Sequence, residues 1–278
     1  MKSAARRLTG LLLALPVGLL LVCGSPEPDP LGEPDITIDA PDPDQLGGVS
    51  YILSWTSSQA HEIATGWEVT NDLGYRVRLT SGWLTTYSVQ LVPCSGDDRE
   101  DNGWLRRLLG GRPAYAGHGG STDPSAITIA HVEELTTPTD QLLGPVEPGE
   151  GRYCQVHYLL GPAEGGARGL PETPDLMDSS LFLQGAWGAP GAAPTQPFQI
   201  QSSLAMGEMM YLYPPDRPGD ADASFALDTG TSNATVRVTR NLDTLFDGVD
   251  FGLMDDVGLQ KAVLQAVVKS LEITVESR

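Results

Sequence analysis

Basic residues are scarce in this sequence. Its 278 residues include 17 lysines and arginines against 36 aspartates and glutamates, which gives a formal net charge of −19. Nucleic acid and anionic lipid headgroups repel such a chain, because both present dense negative charge. We therefore expect no nucleic-acid partner. The charge fits cation binding, contact with a basic protein, or solubility alone.

The sequence also lacks the common catalytic and cofactor motifs. It has no Gly-x-Ser-x-Gly turn, no Walker loop, no His-Glu-x-x-His helix and no haem-attachment motif. Residues 117–121, Gly-His-Gly-Gly-Ser, resemble part of an oxyanion loop, but no nucleophile turn accompanies them. We therefore expect a protein that is not an enzyme, and a hydrolase is the third of three readings.

The first residues have the pattern of an export signal. Three basic residues among the first seven precede an apolar run, Leu11–Val22, which is too short for a comfortable membrane span. Cys23 follows Leu-Leu-Val, as in a bacterial lipobox. We predict a lipoprotein signal over residues 1–23, with a lipid on Cys23 that holds the protein at the cell envelope, facing the periplasm or the cell surface. Ordinary cleavage after Gly24 is the alternative.

Residues 24–48 predict a tether. They contain six prolines and seven acidic residues. Such a segment buries too little apolar surface to fold, and alternating proline and charge extends a chain. The segment is expected to hold a domain away from a bilayer. A disordered terminus without a role is the alternative.

Short alternating segments dominate residues 49–278. Tyr75, Val77 and Leu79 alternate with polar residues, which is the period of a half-buried strand. Glycine, proline, asparagine and aspartate clusters separate such segments. The pattern predicts a mainly β fold, an antiparallel β-sandwich of the Greek-key type, as one large domain or two small ones. Similar segments occur near residues 87–91, 154–160, 181–183, 198–200, 225–227, 236–238 and 273–275.

Helix signals are few. Asp255–Ser270 has an apolar helical stripe that includes Val257, and an aspartate can cap its start, so we predict one C-terminal helix. A short second helix is expected at Trp104–Leu109. Residues 97–124 and 161–178 predict long loops, which are usually functional or disordered. Trp67 and Trp83 flank one strand and are expected to fill the same core.

Three cysteines are present, at positions 23, 94 and 154. With Cys23 lipidated or removed, Cys94 and Cys154 form an even pair in an oxidising compartment, which predicts a disulfide bond. Two buried free thiols are the alternative.

The four histidines are candidate metal ligands. Neutral imidazole is the commonest metal ligand, and the negative field of the protein favours a cation. No two of them have ligand spacing, so the fold would have to assemble a site. Ordinary surface or core histidines are the alternative. The candidates are His61, His118, His131 and His157.

Two stretches resemble the methanobactin-associated, or metallo-mystery pair, copper-binding partner proteins. They are residues 85–92, Thr-Thr-Tyr-Ser-Val-Gln-Leu-Val, and residues 146–153, Val-Glu-Pro-Gly-Glu-Gly-Arg-Tyr, with the apolar strand that follows. The resemblance implies a β-rich periplasmic protein that binds copper and works beside a di-haem enzyme. The family's Leu-Asn-His segment is absent, so no ligand residue is carried over.

Two functions follow from these observations. The first is a non-catalytic envelope lipoprotein that acts as a binding or accessory module for another envelope component. The alternative is a periplasmic copper-binding protein that partners a di-haem enzyme, with copper as its cofactor.

Overall fold

A computed structural model describes residues 48–94, 123–212, 224–227 and 233–277. The predicted signal, Cys23, the tether up to residue 47, His118 and the short helix at Trp104–Leu109 lie outside these residues. The described chain is mainly β with one α-helix near its C-terminus, which confirms the predicted fold class.

Strands and turns alternate along the chain as the period-two pattern predicts. A 3₁₀ turn covers Leu242–Thr244, and helix α1 covers Asp256–Lys269. The strands are β1 Gly48–Thr56, β2 His61–Glu62, β3 Trp67–Thr70, β4 Arg76–Pro93, β5 Ala126–Ile127, β6 His131–Glu134, β7 Gln141–Val146, β8 Gly151–Leu160, β9 Leu181–Gly188, β10 Gln196–Ser202, β11 Met206–Tyr211, β12 Phe225–Leu227, β13 Asn233–Asn241 and β14 Glu272–Ser277.

The smaller sheet has four strands in the order β14-β13-β1-β7. Its central pair, β1 and β13, is parallel over nine residues, from Gly48 opposite Asn233 to Thr56 opposite Asn241. The expectation of purely antiparallel pairing is therefore wrong for this pair. Parallel neighbours need a long connection, and here nearly the whole domain lies between the two strands.

The larger sheet is organised by β4. Two segments that each predicted a strand, near Tyr75 and near Tyr87, merge into one strand of 18 residues. One side of β4 pairs with β9 and then with β8, and the other side pairs with β3, β6 and β5 in turn. Register shifts between Leu79 and Ser81, and between Thr86 and Ser88, mark bulges that bend so long a strand.

A shared apolar core lies between the sheets. Tyr51 and Leu53 of β1 and Leu79 and Leu91 of β4 are fully buried in one cluster. Each buried aliphatic side chain of this kind contributes about 1.5–3 kcal/mol. The core therefore fixes how the smaller sheet faces the larger one.

Trp67 and Trp83 belong to different clusters. Trp67 is buried in the main core, whereas Trp83 packs on a second cluster that contains Val132, Leu176 and Phe182. The expectation that both tryptophans fill one core is wrong, because Trp83 lies on the β4 segment beside the 161–178 connection.

Helix α1 closes the core near β10, β11 and β13. The Asp255 side chain caps it by accepting a hydrogen bond from the Gly258 amide at 2.8 Å. Val263, Leu264, Val267 and Val268 are buried. Val257 is 50% exposed, so its predicted place on the buried stripe is wrong. The first turn of the helix projects beyond the sheets.

Candidate functional site

The described histidines lie on three different strands. His61 is exposed on β2, His131 is buried on β6, and His157 is half-buried on β8. His131 pairs with Thr86 and His157 pairs with Gln90, on opposite sides of β4. Strands separated by one neighbour lie roughly 10 Å apart. The fold therefore does not bring these three side chains together.

No group of three histidine, cysteine or carboxylate side chains that could hold a metal ion occurs in the described parts of the chain. His157 nevertheless has a sulfur-bearing neighbour. Met209 of β11 lies directly opposite it in the β8–β11 register and is 41% exposed. A Cβ atom at Gly207, the next outward position of β11, would lie 3.3 Å from His157 Nε2. The His157 imidazole thus lies close to Gly207, on the strand that also carries the Met209 thioether.

The cysteines lie at disulfide distance. The Cα atoms of Cys94 and Cys154 are 4.9 Å apart, within the range of bonded pairs. The pair joins the end of β4 to β8, next to the Pro93–Tyr153 register position. It closes this end of the β4–β8 strand pair.

A charged pair is buried between the sheets. Arg240 of β13 is 0% exposed and Glu133 of β6 is 3% exposed. Arg240 Nη1 donates to Glu133 Oε1 and Nη2 donates to Oε2, each at 2.6 Å. This bidentate geometry is the strongest form of such a pair. It connects the smaller sheet to the larger one.

Three polar side chains complete the surroundings of this pair. Thr86 Oγ1 donates to Glu133 Oε1 at 3.0 Å, and Arg240 Nη1 also donates to the Tyr158 hydroxyl at 3.2 Å. The Trp55 ring lies 4.4 Å from the guanidinium carbon. Burial alone would lower the pKa of Arg240, but Glu133 and Tyr158 outweigh it and raise the pKa. Arg240 therefore keeps its charge in this enclosed position.

His131 lies beside this centre. It is 7% exposed, and its Nε2 is the one buried side-chain nitrogen or oxygen of the described residues that lacks a hydrogen bond. Burial lowers the pKa of His131, and Arg168 lowers it further, while Glu133 opposes them. The residues on both sides of His131 are hydrogen-bonded to Arg168. The Val132 amide donates to the Arg168 carbonyl at 2.8 Å, and the Arg168 amide donates to the Ala130 carbonyl at 2.9 Å. Protonation of the buried His131 imidazole would disturb this junction between β6 and Arg168.

Asp243 organises the segment after β1. Its carboxylate accepts hydrogen bonds from the amides of Ser58, Gln59 and Ala60 and from the hydroxyls of two serines. Burial by itself raises the pKa of Asp243, but these bonds lower it to about 2. In a catalytic triad a histidine stands between serine and carboxylate. Ser58 donates to Asp243 directly, at 2.8 Å, so this arrangement serves structure.

His61 lines an open cleft of about 510 Å³ with Glu68 and Arg76. Glu68 is held by two guanidinium groups, those of Arg76 and Arg78, and Arg78 Nη2 lies 3.0 Å from Oε2. Burial raises the pKa of Glu68, but the two arginines outweigh it and lower the pKa. Among the residues that the structure describes, the cleft therefore offers no free carboxylate as a partner for His61.

A second cleft lies beside helix α1, and we call it the helix cleft. It has a volume of about 440 Å³. Helix α1, the turn between β3 and β4, and the segment that follows the 3₁₀ turn form its walls. Its lining residues are Asp72, Thr244, Asp247, Gly248, Met254, Ala262, Gln265, Ala266, Lys269 and Ser270.

Two carboxylates lie together in the helix cleft. The Asp72 amide donates to Asp247 Oδ1 at 3.1 Å, and the Gly248 amide donates to Asp72 Oδ1 at 2.7 Å. Burial and the charge of Asp72 raise the pKa of Asp247. The hydrogen bond from the Asp72 amide lowers it, but by less. The cleft thus places two acidic side chains and Lys269 beside the apolar residues Met254, Ala262 and Ala266.

The residues that organise these sites carry weak sequence signals. Arg240 follows Val236 and Val238 at the same inward spacing of two, so continued alternation marks it as an inward charge. Glu133 follows His131 in the same way. Asp72 and Asp247 are 175 residues apart in the sequence, and no local sequence pattern predicts that they lie together.

Comparisons with known proteins returned no relative. No family model, curated protein or solved structure matches the chain. The described helix is not long and apolar enough to cross a membrane.

Proposed function

We propose that this protein is a non-catalytic cell-envelope lipoprotein that acts as a binding or accessory module. A lipid on Cys23 anchors it, and the acidic, proline-rich residues up to 48 hold the β-sandwich away from the bilayer. The helix cleft is its binding face for another envelope component. The basic start, the apolar run and the lipobox-like residues before Cys23 support the anchor.

One observation carries the non-catalytic part of the proposal. The strongly perturbed groups Tyr51, Arg240, Tyr158 and Asp243 are all hydrogen-bonded within the fold. Enzymes place such groups in clefts, where they meet substrate. Here they connect strands and fix a loop, while the helix cleft offers carboxylates, one lysine and an apolar wall. That composition suits binding better than bond breaking.

The anchor is tested by cell fractionation. Wild-type protein should enter the detergent phase and take up labelled palmitate, whereas a Cys23→Ser variant should do neither and should leave the membrane. Ser25→Ala is the matched control, because it changes the neighbouring segment and leaves the thiol in place. Unlabelled wild-type protein in the soluble fraction would overturn the proposal.

A second candidate function is copper binding, as a periplasmic partner of a di-haem enzyme. His157 and Met209 are the observation that favours it. Directly opposed residues of an antiparallel pair have Cβ atoms about 5 Å apart, so imidazole nitrogen and thioether sulfur can share one ion. Thioether and imidazole ligands suit Cu(I). Burial lowers the pKa of His157, which keeps the imidazole neutral and able to bind below pH ~6.5.

Copper binding is tested by Cu(I) competition against a chromophoric chelator. His157→Asn and Met209→Leu should each weaken binding about tenfold or more. Met177→Leu is the control, since Met177 is similarly exposed, at 43%. A His61→Ala/His118→Ala variant tests two of the other three predicted ligands. Equal, weak binding by all these proteins would show nonspecific collection of ions by the acidic surface.

A further inference from the structure

We propose that the helix cleft docks a lysine or arginine side chain from a basic segment of a partner protein. The inference rests on the proposed binding-module function and names the chemistry of its partner. The cleft combines two carboxylates, Asp72 and Asp247, with Lys269 and an apolar wall of Met254, Ala262 and Ala266, so its acidic side chains outnumber its single basic one. A long cationic side chain matches both parts, because it carries its charge on an aliphatic stem.

The carboxylates retain capacity to accept further hydrogen bonds. The bonds from the Asp72 and Gly248 amides both end on Oδ1 atoms. Each carboxylate therefore keeps its Oδ2 without a donor among the described residues. A guanidinium or ammonium group supplies two or more donors. Its charge would also relieve the repulsion between the two carboxylates.

The apolar wall favours a side chain over a bare metal ion. A hard cation such as Ca²⁺ takes six to eight oxygen ligands, and the described residues hold no metal-binding group of three acidic, histidine or cysteine side chains. Leu253, next to Met254 in the chain, is 87% exposed. This exposed apolar side chain adds surface that a partner segment can cover.

The two segments that carry the carboxylates are already joined to each other. Asn71 Nδ2 donates to the carbonyls of Phe246 and Val249, at 3.0 and 2.9 Å. The Tyr75 hydroxyl donates to Asp250 at 2.7 Å. These bonds hold the β3–β4 turn against the segment that carries Asp247. Binding therefore does not have to order the two carboxylates, which lowers its entropic cost.

The experiment uses a fluorescein-labelled peptide of lysine, alanine and one leucine, and a twin in which every lysine is acetylated. Anisotropy is measured with the purified mature lipoprotein in neutral detergent. The wild type should bind the lysine peptide about tenfold or more tightly than it binds the twin, and added salt should weaken the binding. An Asp72→Asn/Asp247→Asn variant should lose this preference.

Two further variants define the cleft. Glu147→Gln/Glu150→Gln removes two exposed charges from the β7–β8 connection and should bind like the wild type. Ala262→Phe fills the cleft without changing charge and should bind poorly, with an unchanged thermal midpoint as proof of folding.

Three outcomes would overturn the proposal. Equal binding of the lysine peptide by all variants would mean that overall acidity attracts it. Equal binding of both peptides would mean that the cleft recognises no cation, while its role as a binding face stands. If neither peptide binds any of the proteins, the proposal of a cationic partner is wrong. The proposed lipoprotein function is not affected by that result, because lipid attachment at Cys23 is tested separately.

Discussion

Arg240 on β13 and Glu133 on β6 form a fully enclosed bidentate ion pair that joins the two sheets, with both nitrogen–oxygen distances at 2.6 Å. The pair spans 107 residues of sequence. Its neighbours, Thr86 and Tyr158, belong to two further strands, so four strands meet at one polar centre. In this arrangement of the sheets the guanidinium and the carboxylate are both hydrogen-bonded, and the pair joins strands of both sheets.

Breaking this pair is expected to be costly. Glu133→Gln leaves the buried Arg240 charge without a counter-charge and should lower the free energy of unfolding by about 3–5 kcal/mol. Arg240→Met should cost a similar amount. A Glu133→Leu/Arg240→Met variant should recover much of the loss, because no unpaired charge remains. Urea denaturation measures all three.

Arg237→Met is the control for these variants. Arg237 also lies on β13, but its ion pair with Asp140 is partly exposed. Its loss should cost less than about 1 kcal/mol. Equal losses at Arg237 and Arg240 would contradict the role assigned to the buried pair.

Acid should weaken the β6 junction through His131. Its pKa is lowered in the folded state, mainly by burial and then by Arg168, so the unfolded chain binds the proton more readily. The stability due to neutral His131 is intact above pH ~6.5 and is lost as the pH falls through that value towards the folded pKa. The protection factors of the Val132 and Arg168 amides against hydrogen exchange should fall over this window.

His131→Gln should remove much of that pH dependence, since glutamine does not titrate. His61→Gln, at an exposed position, should leave it unchanged. His157 also has a lowered pKa because of burial, so part of the dependence remains until it is replaced as well. An unaltered pH profile in His131→Gln would refute the assignment.

Neutralising Asp243 should lower the free energy of unfolding, whereas neutralising Asp247 should not lower it. The pKa of Asp243 is lowered to about 2, so its charge stabilises the fold above pH ~4 and that stability is lost as the pH falls towards 2. Asp243→Asn should cost about 1–3 kcal/mol at pH 7, because amide hydrogens of the 58–60 segment lose a charged acceptor.

The pKa of Asp247 is raised, mainly by burial, so its charge opposes folding at neutral pH. Asp247→Asn keeps an oxygen that can accept from the Asp72 amide and should leave stability unchanged or slightly higher. Thermal unfolding at pH 7 compares the two variants. A loss in Asp247→Asn as large as that in Asp243→Asn would contradict the distinction between a structural and a binding carboxylate.

The Cys94–Cys154 pair should stabilise the fold by restricting the unfolded chain. A bridge over a separation of 60 residues is worth about 4 kcal/mol in the chain-entropy model. A Cys94→Ser/Cys154→Ser variant should have a free energy of unfolding lower by that amount in urea denaturation. Reductant should lower the free energy of unfolding of the wild type but not that of the variant. Two reactive thiols in oxidised, unfolded wild-type protein would show that the bond is absent.

Local patterns predicted the parts of the fold that depend on local physics. Alternation at Val77 and Leu79 marked a half-buried strand, and Asp255 marked the start of the helix. The merger of two segments into β4 was missed, because Ser81-Gly82 interrupts the alternation. The parallel β1–β13 pair depends on residues about 185 positions apart, which periodicity does not register.

The candidate sites were less predictable for the same reason. His157 is a residue of interest in the sequence, but its partner Met209 is apparent only from the β8–β11 register. Asp72 and Asp247 each resemble ordinary turn residues, and only the folded chain places them in one cleft. Residues 161–178 read as a long loop, yet Ala163 and Leu176 are buried in the second cluster.

The mass of the mature N-terminus tests the central claim most directly. Protein extracted from membranes is digested, and its N-terminal peptide is analysed by mass spectrometry. The account predicts a peptide that begins at Cys23 and carries the mass of a diacylglycerol on the thiol. An unmodified peptide that begins at Ser25, from protein recovered in the soluble fraction, would contradict it.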